Sequence, residues 1–257
     1  MMNAQPTTTA TTLQIDAAGL HYRQLNAQLR EAVNGQGIEH IAITNVYGQR
    51  YIGTDLHRTV EIHIHGTPGN DLASFMDGPR IIVHGNAQDA CGNTMNDGEV
   101  IIHGRAGDVT GHSMRGGTIW VRDDVGYRVG IHMKAYQDRR PTIVIGGTAQ
   151  HFLGEYMAGG VLLVLGLTLG PGERHAASFI GTGMHGGVIY VRGELVDHQL
   201  GKGVGQMALD EEDERLVAAL VTGYAARFGY DAAEVLDGPF FKLMPLSLRP
   251  YGRLYAY

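Results

Sequence analysis

The stretch RIIVHGNAQDACGNTMNDG (80–98), followed directly by EVIIHGRAGDVTGHSMRGG (99–117), decides the fold. The two segments align position by position: a branched aliphatic run, His-Gly, a short polar stretch, Gly-x-x-Met and a closing glycine. Outward from them, Met76, Met95, Met114 and Met133 keep a 19-residue interval, as do His65-Gly66, His84-Gly85 and His103-Gly104. The corner glycines are Gly92, Gly111 and Gly130, then Gly154 and Gly181 after insertions. Gly53-x-x-Leu56 and Gly201-x-x-Val204 extend the pattern, and Ala73 replaces the glycine in the second unit. The units run approximately 41–59, 60–79, 80–98, 99–117, 118–140, 141–160, 161–187 and 188–205.

A fixed short period is the signature of a solenoid. Nineteen residues are too few for a strand plus an ordinary crossover helix. They suit one turn of a coil whose strand stacks about 4.8 Å from the next. The sequence therefore predicts an all-β fold, a right-handed single-stranded parallel β-helix of about eight rungs with flanking helices. Such a rod gains stability from neighbouring rungs and needs its ends capped. The expected organisation is a disordered Thr-rich start (Met1 to Thr12) plus a capping helix over 1–39, the β-helix over 40–205, and a helix with an extended arm over 206–257.

Alternation along each strand separates inside from outside. Ile62/Ile64, Ile81/Val83, Val100/Ile102, Ile119/Val121, Ile143/Ile145, Leu162/Val164 and Ile189/Val191 are all aliphatic, so they face the bore together with the repeated methionines. The residues between them, His63, Ile82, Ile101, Trp120, Val144, Leu163 and Tyr190, face outward, yet all but His63 are apolar or aromatic. An outward apolar stripe marks a covered surface. Two covers are open: a partner subunit, which is favoured, or the chain's own helices. The first helix carries Tyr22, Leu25, Leu29 and Val33 and stops at Gly35. The second starts at Asp210, carries Leu216, Val217, Leu220, Val221, Tyr224 and Phe228 on one face, and ends at Gly229.

Composition agrees. Glycine supplies 38 of 257 residues, marking tight corners. A formal charge of −6 without a basic cluster argues against nucleic acid. The single cysteine excludes an internal disulfide or a Cys-ligated cluster built by this chain alone. No apolar run reaches membrane-spanning length and no signal peptide is apparent, so a cytoplasmic location is expected.

Candidate chemistry dissolves into the repeat. His65, His84 and His103 share one rung position and read as a stacked corner ladder. His112, His132, His151 and His185 sit at differing offsets. Cys91 occupies the place of Leu72, Thr110, Val129, Leu153 and Ile180, a packing position. Gly201-Lys-Gly-Val-Gly205 continues the rung pattern and lacks the strand-to-helix context of a phosphate loop. Asp89 and Asp108, with Asn70 before them, suit a ladder of turn residues. No catalytic, metal-binding or cofactor-binding residue is predicted.

The segments GDVTGHSMRGG (107–117), HFLGEYMAGG (151–160) and FIGTGMHGG (179–187) resemble the GXGXG domain, the C-terminal part of the glutamate synthase large subunit. The resemblance spans about 40–205. FFKLMP (240–245) is similar to the Phe-x-Lys/Arg-Val-x-Pro ending of those subunits. The amidotransferase and flavin-barrel domains have no counterpart here, so the chain looks like the stand-alone version. The resemblance implies a non-catalytic scaffold holding an amidotransferase-type subunit and an FMN-barrel synthase subunit, with FMN and iron–sulfur in those partners, for glutamate formation from glutamine and 2-oxoglutarate. Self-association is an additional expectation. The same module occurs in one of the subunits of formylmethanofuran dehydrogenase, in the related formyltransferase/hydrolase complex and in N-methylglutamate synthase; the tail favours the glutamate synthase side.

Overall fold

The computed structural model describes residues 12–246. Its core is a parallel β-helix. Strands β1 (Leu13–Asp16), β2 (His40–Tyr47), β3 (Glu61–Thr67), β4 (Asp77–His84), β5 (Asp97–Ile102), β6 (Thr118–Val121), β7 (Thr142–Ile145), β8 (Ala158–Val164) and β9 (Gly186–Arg192) stack in sequence order, each parallel to the last. The register is the one the period dictates: Ile62, Ile81, Val100, Ile119, Ile143, Leu162 and Ile189 are direct neighbours on successive strands. All seven are fully buried, and so are Met76, Met95, Met114, Met133 and Met157. They fill the bore as one continuous cluster.

Each corner is built from two overlapping turns. In one rung the Asn93 N–H donates to the Ala90 carbonyl and the Met95 N–H to that of Gly92; the next rung repeats this with His112 to Val109 and Met114 to Gly111. A turn of this type needs a positive φ at its third residue. Gly92 and Gly111 supply it with φ of 70° and 72°. The flanking residues are left-handed too, although they are not glycine: Ala90 (59°), Thr94 (54°), Val109 (51°) and Ser113 (53°). The corner also hydrogen-bonds along the rod, Gly92 N–H donating back to Leu72 and Ala90 N–H forward to Asp108.

The turns are most regular from β3 to β8, so the regular coil is slightly shorter than the rung count read from the period. After β8 the chain makes an excursion through 165–177 before it rejoins the coil at the Gly181 corner. The last rung then passes into an antiparallel cap, in which β11 (Phe240–Pro245) pairs with both β9 and β10 (Val204–Met207). At the other end, helix α1 (Tyr22–Arg30) and a wide π-type turn over Glu31–Gly35 close the bore with Leu25, Leu29 and Val33. Strand β1 lies in the segment read only as a disordered start and capping helix. The expected disorder of Met1 to Thr12 falls almost wholly outside the described residues, as does the arm beyond residue 246. Among the described residues, no helix is long and apolar enough to cross a membrane.

Candidate functional site

The apolar stripe is the feature that most called for a partner, and the chain covers it itself. Helix α2 (Glu211–Phe228) begins at Asp210, whose carboxylate caps the N–H groups of Glu212 and Asp213, and ends at left-handed Gly229. Its Val217, Val221 and Tyr224 pack with Ile82, Ile101, Trp120, Val144, Leu163 and Tyr190 into a second core separate from the bore, with Val235 of α3 (Ala232–Leu236). No stripe residue from Ile82 to Tyr190 is more than 6% exposed. These six residues, expected as a partner interface, are therefore an intramolecular one. The lengths explain the fit. An 18-residue helix spans about 27 Å at 1.5 Å per residue, and the five gaps from β4 to β9 span about 24 Å at 4.8 Å each. Where the cover stops, the outward position becomes polar: His63 on β3 forms a half-exposed contact with Glu61.

Polar groups fix the helix at both ends. Near its start, the Tyr190 hydroxyl donates to Asp213 (2.5 Å) and Lys242 Nζ donates to the same carboxylate (2.6 Å), joining β9, α2 and β11. Burial works against the ionised form of Asp213, but Lys242 and Tyr190 hold its carboxyl below the ordinary range. Near its end, Glu99 accepts from Trp120 Nε1 (2.9 Å), Arg80 Nε (2.7 Å) and Arg227, whose guanidinium lies 4.1 Å from the Trp120 ring centroid. Burial opposes ionisation of Glu99 as well, and the two arginines outweigh it. One turn before the end of the helix, the Tyr224 hydroxyl donates to the Arg122 carbonyl (2.7 Å).

The histidine column forms the stacked ladder expected. His65 and His84 are 4.4 Å apart with planes 7° from parallel, and His84 and His103 are 5.6 Å apart at 10°. His63 joins it, with Nδ1 2.9 Å from His84 Nε2, and His103 ends against the edge of Phe228. Rings stacked face to face direct their in-plane lone pairs side by side instead of toward a common point. Among the described residues no group of three or more His, Cys, Asp or Glu side chains has a metal-holding arrangement. Burial and its neighbours His65, His63 and His103 push the pKa of His84 down. Of the histidines at differing offsets, His112 approaches His132, His151 approaches Tyr127, and His185 Nδ1 lies 3.4 Å from the Gly183 carbonyl.

The other candidates have structural places. Cys91 is buried in the bore and burial pushes its thiol up to about 12, so it holds no thiolate near neutrality. Gly201–Gly205 leads into β10 and opens no helix. Asp89 Oδ1 accepts the N–H of Asp108, and Asp108 Oδ1 accepts that of Tyr127; a parallel ladder runs from Asn86 to Arg105. Asn70 contributes a backbone carbonyl to Tyr51.

The corner glycines are doubly constrained. Gly92, Gly111, Gly130, Gly154 and Gly181 have φ of 66–72°. A Cβ there would also press into the bore: on Ile119 for Gly92, Ile143 for Gly111, Leu162 for Gly130, Ile189 for Gly154, and Met184 and Val204 for Gly181. The sequence pattern shows the central glycine of each corner. It does not show the two left-handed residues flanking it, because almost any side chain occupies those positions here.

The sequence matches the family model described as the GXGXG motif over residues 40–245, from the first full rung to the last residue of β11. An uncharacterized protein of Methanocaldococcus jannaschii is 46% identical over 249 residues, which cover 94% of this chain and 95% of that protein.

Proposed function

We propose, because this chain belongs to the GXGXG motif family, that it is the non-catalytic structural subunit of a glutamate synthase-like complex. One observation carries the reading: the family match takes in the coil, the helix α2 that covers its stripe and the FFKLMP strand that caps it, so the whole described module beyond residue 39 is the family's unit. The relative is matched over nearly all of its own length, which supports a module acting as a separate chain.

On this reading the coil is a rigid spacer. It holds an amidotransferase-type subunit that releases ammonia from glutamine and an FMN-barrel subunit, with iron–sulfur, that reductively aminates 2-oxoglutarate. Those partners would seat on surfaces other than the stripe, which α2 occupies. Purification of the tagged full chain from its native host is the test. The expected result is stoichiometric recovery of a flavin-binding chain and a glutaminase chain. Recovery without either, or with metallohydrolase and formyltransferase chains, refutes it.

A further inference from the structure

Beside the corner glycines lies a half-exposed aromatic surface. In the column before the glycine, the Arg128 guanidinium lies 4.4 Å from the Phe152 ring centroid, and Phe152 stacks on Phe179 at 4.9 Å. In the column after it, His132 stacks on Tyr156 at 5.3 Å. Tyr127, Tyr156 and Phe179 are 44%, 48% and 51% exposed. At ~200 Å² per aromatic side chain, these three present about 300 Å² of aromatic surface to solvent. That reaches the lower end of the largest apolar patch on a typical monomer, about 300–600 Å², and it would make the apolar centre of an interface needing about 800 Å² per partner.

Two further observations bear on this patch. The flanking corner positions are left-handed along the coil, and here bulky aromatic residues occupy them: Phe152 (65°), Tyr156 (53°) and Phe179 (60°). The equivalent of Tyr156 in the next corner is Gly183, so the corner accommodates glycine there. The charge of Arg128 in this stack is also balanced by Glu155, on a chain whose formal charge is −6.

Among the described residues, the stack of Arg128, Phe152 and Phe179 ends open. The bridge between Ile180 and Leu200 puts Gln199 beside Phe179 in the next rung, and its side chain turns inward to the carbonyls of His175 (2.6 Å) and Ala177 (2.8 Å). No ring of that rung continues the column. We propose that two copies of this chain associate through this patch, with Phe179 stacking on Phe179 of the second copy across a two-fold axis. An isologous contact places the same surface on both sides, so the ring that ends one column continues the other. A stack whose charge is balanced is also where two like-charged molecules approach with least repulsion. This inference is independent of the glutamate synthase reading.

The test is the mass of the full chain by size-exclusion chromatography with light scattering, from roughly 1 to 100 μM, beside thermal melts. We expect a concentration-dependent dimer, strengthened by salt as like charges are screened. Phe179→Asn and Tyr156→Asn should raise its apparent Kd about tenfold or more. Asparagine tolerates the left-handed backbone, so Tm should hold or rise. A merely structural role for these rings would lower Tm instead. Should Phe179→Asn fail to fold, Phe179→Gly decides the matter without backbone strain. A monomer throughout the range, or a dimer indifferent to both substitutions, overturns the proposal. A monomer whose patch becomes protected only when a different subunit is added overturns it in favour of heterologous docking.

Discussion

Replacing Gly92 by alanine tests the two constraints on the corner separately. Gly92 has φ of 70°, and a Cβ there meets Ile119 Cδ1 within the packed bore. The left-handed backbone costs an L-residue about 1–2 kcal/mol, and forcing a methyl into a filled core costs about 1–3 kcal/mol. Gly92→Ala should therefore lose about 2–5 kcal/mol, which at ~2–4 °C per kcal/mol for a domain of this size lowers Tm by roughly 4–20 °C. Gly229 serves as the control: its φ is 76° but a Cβ there meets nothing within 4 Å, so Gly229→Ala should show the backbone cost alone, about 1–2 kcal/mol. The clash is isolated by a double-mutant cycle. Ile119→Val removes the offending Cδ1 and should cost ~0.5–1.5 kcal/mol in the parent chain, but nothing in the Gly92→Ala background. Urea titration followed by circular dichroism gives the four free energies. Additivity within about 0.5 kcal/mol would show that Ile119 does not feel the added methyl, and a loss for Gly92→Ala no larger than for Gly229→Ala would refute the second constraint.

The remaining predictions concern the helix cover, the histidine ladder and the bore thiol. Trp120→Asp should destabilise the isolated chain by about 3–5 kcal/mol, since it removes a buried ring and places a carboxylate beside Glu99; an unchanged melting curve would mean that α2 does not close on the stripe in solution. Burial and mutual repulsion depress the pKa of His84, and burial together with Arg122 depresses that of His103. Their contribution to stability is thus complete above about pH 6.5, where these imidazoles are neutral in the unfolded chain as well, and is lost as pH falls below it. Tm should decline between about pH 6.5 and 5, before the carboxylates titrate, and His84→Gln should flatten that decline; a Tm that rises on acidification contradicts the sign. Cys91, with its thiol pushed up to about 12, should resist a thiol reagent in native buffer and react at once in denaturant, and prompt native labelling would show that the bore opens.

How much was legible from residues alone follows from which interactions are periodic. A 19-residue repeat with alternating aliphatic positions admits one stacking in which Ile62, Ile81, Val100 and Ile119 all fall inside. A slip of one residue would turn every bore side chain outward, so the coil, its register, the central corner glycines and the buried place of Cys91 were determined by sequence. The ends of α2 were legible for the same local reason, since an Asp cap and a terminal glycine act within one turn. Three things were decided only in three dimensions. The cover of the stripe depended on the reach of α2, because apolar residues bury equally well against a partner or against their own chain. The left-handed residues flanking each glycine were hidden, because the hydrogen bonds between rungs impose that conformation on Ala90, Val109 or Phe152 whatever their intrinsic preference. The closing of Glu99 on Arg80, Trp120 and Arg227 joins residues up to 128 positions apart, and only the meeting of helix and coil brings those groups together.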